Sequence, residues 1–139
     1  MGESVMKGLS EFLIESQENK RLLELNTPKD CTDYSEDEII ELFRHYKNSL
    51  HKEGKDIKEE FYGGITNNIL TNLRRHNIEQ YIICVEVDSF DTAKRIEGLL
   101  CSRLGFFIGE YEEESAGRGG TDDSTIVYMA QRDASAFKD

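Results

Sequence analysis

The chain has 139 residues, 37% hydrophobic and 32% charged, and 28 acidic against 17 basic side chains leave a net charge of −11. That length fits one domain with an appended element and buries an adequate core without disulfides or metal. No apolar run approaches the roughly 18 residues of a membrane span, and the net charge opposes broad nucleic-acid binding, because Lys and Arg contacts to phosphate supply most of that affinity.

The acidity is uneven. Residues 1–60 hold 9 basic and 15 acidic side chains, residues 61–109 hold 5 and 5, and residues 110–139 hold 3 and 8. The middle is neutral between two acidic flanks, so a site there would bind an anion locally while long-range steering works against it. The N-terminus is too acidic and too weakly apolar for a secretory signal, which makes the cytoplasm the expected location. Cys31, Cys84 and Cys101 are odd in number with no CxxC pair, and they read as reduced thiols instead of a zinc site or a disulfide framework.

In chain order, residues 5–25 read as a helix with Val5, Leu9, Phe12 and Leu13 on one face, closed by Pro28, the only proline. Residues 29–34 are polar and read as a short loop. Ser35 and Glu38 have capping-box spacing, and Ile39, Phe43, Tyr46 and Leu50 recur at helical intervals, giving a second helix that ends before Gly54. Residues 56–60 are a charged approach to a strand carrying Tyr62, Gly63 and Gly64, where the absence of a Cβ lets another backbone or a ligand come close. Thr66, Asn67 and Asn68 then offer oxygens to the first N–H groups of a helix beginning near Ile69.

Residues 80–88 are a β-branched and aromatic run, expected as a central strand covered on both sides. Asp91 is the expected cap of a helix that Gly105 ends. Residues 106–108 read as an apolar connector, 110–114 as an acidic run, 115–124 as a glycine-rich loop, and 125–130 as a last strand before a polar tail. The expected architecture is α+β, with a small, mostly antiparallel three-stranded sheet flanked by helices. Residues 1–55 would add an extension of two helices to a domain over 56–139.

Several residues stand out chemically, each with an ordinary reading beside the functional one. Glu97 falls inside the stripe of Ala93, Ile96, Leu100 and Leu104, so its carboxylate needs a partner, a metal or a polar cleft, unless its stem packs and its head reaches solvent. Tyr62 is either a strand tyrosine with one wet end or a hydrogen-bonding phenol of a site. His76 is a helix-end cap, a packed imidazole or a catalyst, and Arg74 and Arg75 are a phosphate contact or a solvated face. The loop 116–123 lacks the lysine and following helix of a phosphate cradle, and Asp122 and Asp123 alone are a weak cation signal.

The stretch 61–77 resembles the second motif of the GIY-YIG nuclease superfamily. Tyr62 and Gly64 fit its Tyr-x-Gly strand, Thr66, Asn67 and Asn68 its turn, and His76 a position where the family often has histidine. The family's catalytic arginine falls at Asn72 in ungapped register. Arg74 and Arg75 lie two and three residues later, a rotation of roughly 200 to 300° on a helix. The family also places a metal-binding glutamate on a helix after its third motif strand, which is where Glu97 stands.

The first motif strand is missing from its usual place, but Ile126, Val127 and Tyr128 repeat its apolar-apolar-tyrosine order. The last strand is therefore expected beside Phe61 to Ile65, with Tyr128 close to Tyr62. The resemblance implies catalytic roles for Tyr62, His76, Glu97 and Tyr128, and substrate contacts from Gly64, Thr66, Asn72, Arg74 and Arg75. It further implies a magnesium or manganese ion on Glu97 and DNA as partner, in a diverged domain whose catalysis is retained or lost. The alternative is a non-catalytic module that binds a protein through its acidic helices. A DNA mimic would explain the charge and leave the Tyr-x-Gly frame unexplained. What separates these readings is whether Tyr62, His76 and Glu97 meet at one cleft.

Overall fold

In this computed structural model residues 2–108 and 123–132 are described, with side chains from residue 9 onward. The acidic run 110–114 and nearly all of the glycine-rich loop lie outside the described residues.

Local chemistry sets where the helices begin and end. Ser35 Oγ accepts the Glu38 N–H at 3.1 Å while Glu38 Oε1 accepts the Ser35 N–H at 2.9 Å. This reciprocal cap starts α2 (Glu36–Leu50), whose first turn holds Glu36, Asp37 and Glu38, favourable beside unpaired helix N–H groups. Residues 56–60, expected as a charged approach, contain a single turn, α3 (Ile57–Glu60), capped by Asp56. The helix over 90–104 is α5 (Phe90–Leu104), and its cap is Ser89, not Asp91, which sits in the first turn. Ser89 Oγ accepts the Thr92 N–H at 3.1 Å, and Gly105 ends the helix with a left-handed φ of 77°. There the N–H groups of Gly105 and Phe106 reach back to the carbonyls of Cys101 and Leu100 at 3.0 and 3.1 Å.

The sheet differs from expectation in size and sense. Among the described residues it has five strands in the order β1-β3-β5-β2-β4: β1 is Lys29–Asp30, β2 Phe61–Thr66, β3 Ile83–Glu86, β4 Phe107–Ile108 and β5 Ile126–Gln131. Its centre is β5, antiparallel to β2 and β3, and the two edges are parallel additions, β1 on β3 and β4 on β2. The fold class is α+β as expected, but the three-stranded sheet becomes a five-stranded mixed one. The added strands have two residues each, too few for a period-two pattern, so only their neighbours reveal them. The strand expected at the centre, from residues 80–88, is one place off it and spans only Ile83–Glu86.

Alternation along β2 divides the interior. Phe61 and Ile65 join one apolar cluster with Ile39, Ile40 and Phe43 of α2 and Ile96, Leu100 and Leu104 of α5. Tyr62 belongs to a second cluster with Tyr128, Leu22 of α1 (Gly2–Leu25) and Ile69 and Leu73 of α4 (Ile69–Arg75). The glycines mark the same boundary. A Cβ at Gly63 would lie 2.8 Å from Leu100 Cδ1, whereas one at Gly64 would lie 2.6 Å from Cζ of Tyr128. Helix α5 therefore covers one face of the sheet and α4 the other.

Helix α1 is seated by its C-terminal end. Leu22 is buried, and Asn26 follows it as a clasp: its Nδ2 donates to the carbonyls of Leu22 and Glu79 at 2.8 and 2.9 Å, and its Oδ1 accepts the Tyr81 N–H at 2.8 Å. The expected apolar face of Leu9, Phe12 and Leu13 stays in solvent, 54 to 65% exposed. Among the described residues no helix is long and apolar enough to cross a membrane.

Candidate functional site

The site begins with the pairing of β2 and β5, in which Tyr128 stands directly opposite Gly64. Because Gly64 has no Cβ, the Tyr128 ring lies across it, so this glycine admits a tyrosine of the same chain and not a ligand. Tyr62, two residues back on the same face, brings its ring centroid to 6.1 Å from that of Tyr128. The last strand thus lies where the apolar-apolar-tyrosine pattern put it.

Helix α4 supplies the opposing wall. Thr66 Oγ1 accepts the Asn68 N–H at 3.0 Å and donates to the Asn68 carbonyl at 3.1 Å, closing the turn, and Asn68 Oδ1 caps the helix through the Thr71 N–H at 3.1 Å. Leu73 buries against the sheet. Asn72 and His76, one turn apart and each 3% exposed, face the Tyr128 hydroxyl. The Tyr81 hydroxyl donates to Asn72 Oδ1 at 2.7 Å, Asn72 Nδ2 donates to the Tyr128 hydroxyl at 3.4 Å, and that oxygen is 3.2 Å from His76 Nε2. Tyr128 thus accepts from Asn72 and shares a second hydrogen bond with His76, whose direction depends on which imidazole nitrogen carries the proton. The rings of Tyr62 and His76 lie 5.5 Å apart and those of Tyr81 and Tyr128 4.6 Å apart. A buried network of this kind favours one packing of the interior, since a member deprived of its partner would be a buried polar group left unpaired.

Beside this network opens a cavity of about 100 Å³. Thr66, Asn67, Asn68, Asn72, Arg75 and Ser124 line it. Asn67 Nδ2 donates to Asp123 Oδ1 at 2.8 Å and so ties the turn to the residues entering β5. The volume is well below the roughly 300 Å³ at which pockets begin to take whole small molecules, so it suits one polar group of a larger ligand.

The expected site residues separate into three groups. Tyr62, His76 and Tyr128 come together, with Gly64 under Tyr128 and Asn72 bridging to it. Thr66, Asn72 and Arg75 share the cavity wall. Arg74 does not join them: it is exposed and its guanidinium donates to Asn19 of α1.

Glu97 does not join them either. It is buried on α5, which packs on the Gly63 face of the sheet, while Tyr62 and Tyr128 occupy the Gly64 face. The expected meeting of Tyr62, His76 and Glu97 fails because the sheet stands between them. Glu97 Oε1 lies 3.4 Å from Lys94 Nζ, one turn earlier on its own helix.

The Lys94 ammonium lies beside the Glu97 carboxylate, and among the described residues no three His, Cys, Asp or Glu side chains cluster to hold a metal. Cys31 and Cys84 are buried thiols. Burial pushes Cys84 up to about 12 and Cys31 above its ordinary value, and the Cys84 sulfur lies 3.3 Å from the Asn26 carbonyl.

Sequence reasoning missed Tyr81, which reads as the first residue of a β-branched run and ends as the phenol that orients Asn72. The available signal was its place beside a polar turn, outside the alternating part of the strand. Comparison with known protein families, with curated proteins and with solved structures finds no match.

Proposed function

We propose that the chain is a diverged GIY-YIG-like domain that holds a nucleic-acid phosphodiester at the cavity of Thr66, Asn72 and Arg75 and does not cut it. The observation that carries this reading is the convergence of three substrate-side residues on one small cavity, backed by His76 and Tyr128. Arg75 brings positive charge to that wall, and Thr66 and Asn72 bring hydrogen-bonding groups.

Three features favour binding over cleavage. A neutral amide, Asn72, occupies the register of the family's catalytic arginine and is engaged with Tyr81 and Tyr128. Tyr62 and Tyr128 are completely buried, so neither phenol meets an attacking water. Glu97 is on the far face of the sheet. The neutral charge balance of residues 61–109 leaves room for a local anion despite the acidic flanks.

The test is binding of single- and double-stranded oligonucleotides across a salt series, with and without magnesium or manganese. Salt-sensitive binding is expected, weakened about tenfold by Arg75→Ala with the salt slope reduced by about one, and with no strand scission. Binding that ignores salt and Arg75 removes the proposal. Scission that disappears in Glu97→Ala replaces it with a metal-dependent nuclease.

A further inference from the structure

The acidic helix α1 carries a second surface, independent of the cavity. Leu9, Phe12 and Leu13, which share one face of the helix, are 54, 65 and 57% exposed, an apolar stripe of a kind that marks interaction sites. The helix has 24 residues, about 36 Å at 1.5 Å per residue, and among the described residues its anchoring contacts fall in the last two turns. Leu22 and Asn26 seat it, Arg74 holds Asn19, and Arg21 lies 3.5 Å from Glu79. The patch lies on the half that extends beyond these contacts.

Charge decides the occupant. Residues 9–18 contain Glu11, Glu15 and Glu18, all exposed, and no lysine or arginine. Phe12, Glu15, Ser16 and Asn19 border a groove of about 230 Å³, so an apolar side chain entering there passes a carboxylate. A second copy of a chain with net charge −11 would bring the same glutamates and the same sign. Anionic lipid or nucleic acid would be repelled too, and interfacial helices that lie on membranes carry basic polar faces instead of acidic ones. We propose that the N-terminal half of α1 docks a basic amphipathic helix of another protein, its apolar side chains over Leu9, Phe12 and Leu13 and its lysines or arginines against the acidic flank, first Glu15 beside Phe12 and beyond it Glu11.

The test uses the full chain and three labelled peptides of about four helical turns: a Leu/Lys amphipathic helix, a scramble of it, and the same helix with Glu for Lys. Fluorescence anisotropy should show binding of the first alone. Phe12→Asp should weaken it about tenfold or more, as for a central apolar anchor, with circular dichroism unchanged because the side chain is exposed. The pair Glu11→Lys and Glu15→Lys should transfer preference to the Glu peptide. Arg75→Ala should leave peptide binding unchanged, which separates this surface from the cavity. Equal binding of the scramble, or indifference to Phe12→Asp, overturns the proposal. So does self-association abolished by Phe12→Asp, or pelleting with phosphatidylcholine vesicles, since either gives the face to another occupant.

Discussion

Replacing Gly64 by alanine tests the packing on which the site rests. The φ of Gly64 is not in the left-handed region, so alanine brings no backbone strain, and the effect is purely one of space. The new methyl carbon would lie 2.6 and 2.8 Å from Cζ and Cε2 of Tyr128, closer than real Cβ contacts approach. Neither side can yield easily. Gly64 and Tyr128 are a registered pair between two interior strands, and the phenol is held by Asn72 and His76.

Overpacking of this kind costs about 1–3 kcal/mol. If the ring moves instead, its buried hydrogen-bond partners lose it at a further cost of about 1–3 kcal/mol. Together these give an expected loss of about 2 to 6 kcal/mol, a large part of the 5–15 typical of a domain. The assay is urea unfolding followed by circular dichroism, with Gly98→Ala as control. Gly98 is in α5 and its Cβ would meet nothing within 4 Å, so that change should stabilise by about 0.5–1 kcal/mol. A Gly64→Ala protein within about 0.5 kcal/mol of the parent, the range of an inconsequential surface change, would refute the argument that the phenol fills this space.

Three further outcomes follow from the same geometry. Asn72→Ala should cost about 2–3 kcal/mol in urea unfolding, because the Tyr81 hydroxyl loses its acceptor and Tyr128 a donor. Ser35→Ala should cost about 1 kcal/mol through the lost cap of α2 and leave oligonucleotide and peptide binding unaltered. Cys84, pushed by burial from 9.0 up to about 12, favours its neutral form in the fold. Its stabilising contribution is complete below pH 9 and disappears as pH rises toward 12, so Cys84→Ala should show a flatter decline of urea midpoint across that window than the parent.

The sequence alone determined what short-range chemistry dictates. The Ser35 and Glu38 pair, the glycine stop at 105 and a cap within Thr66, Asn67 and Asn68, which falls on Asn68, all satisfy helix ends within a few residues, so their spacing is enough to read them. The order Ile126, Val127, Tyr128 likewise located the neighbour of Phe61 to Ile65, because an apolar strand ending in a tyrosine could be matched to a Tyr-x-Gly strand. Tertiary structure decided the rest. Leu9, Phe12 and Leu13 show the same helical periodicity as Ile39 and Phe43, yet the first set is in solvent and the second in the core, since periodicity identifies a face but not what covers it. Glu97 is inside an apolar stripe, as read, but only the packing of Leu100 on Gly63 shows that this stripe and the tyrosines occupy opposite sides of the sheet. The two-residue edge strands exist through hydrogen bonds to their neighbours, which no pattern within two residues can encode.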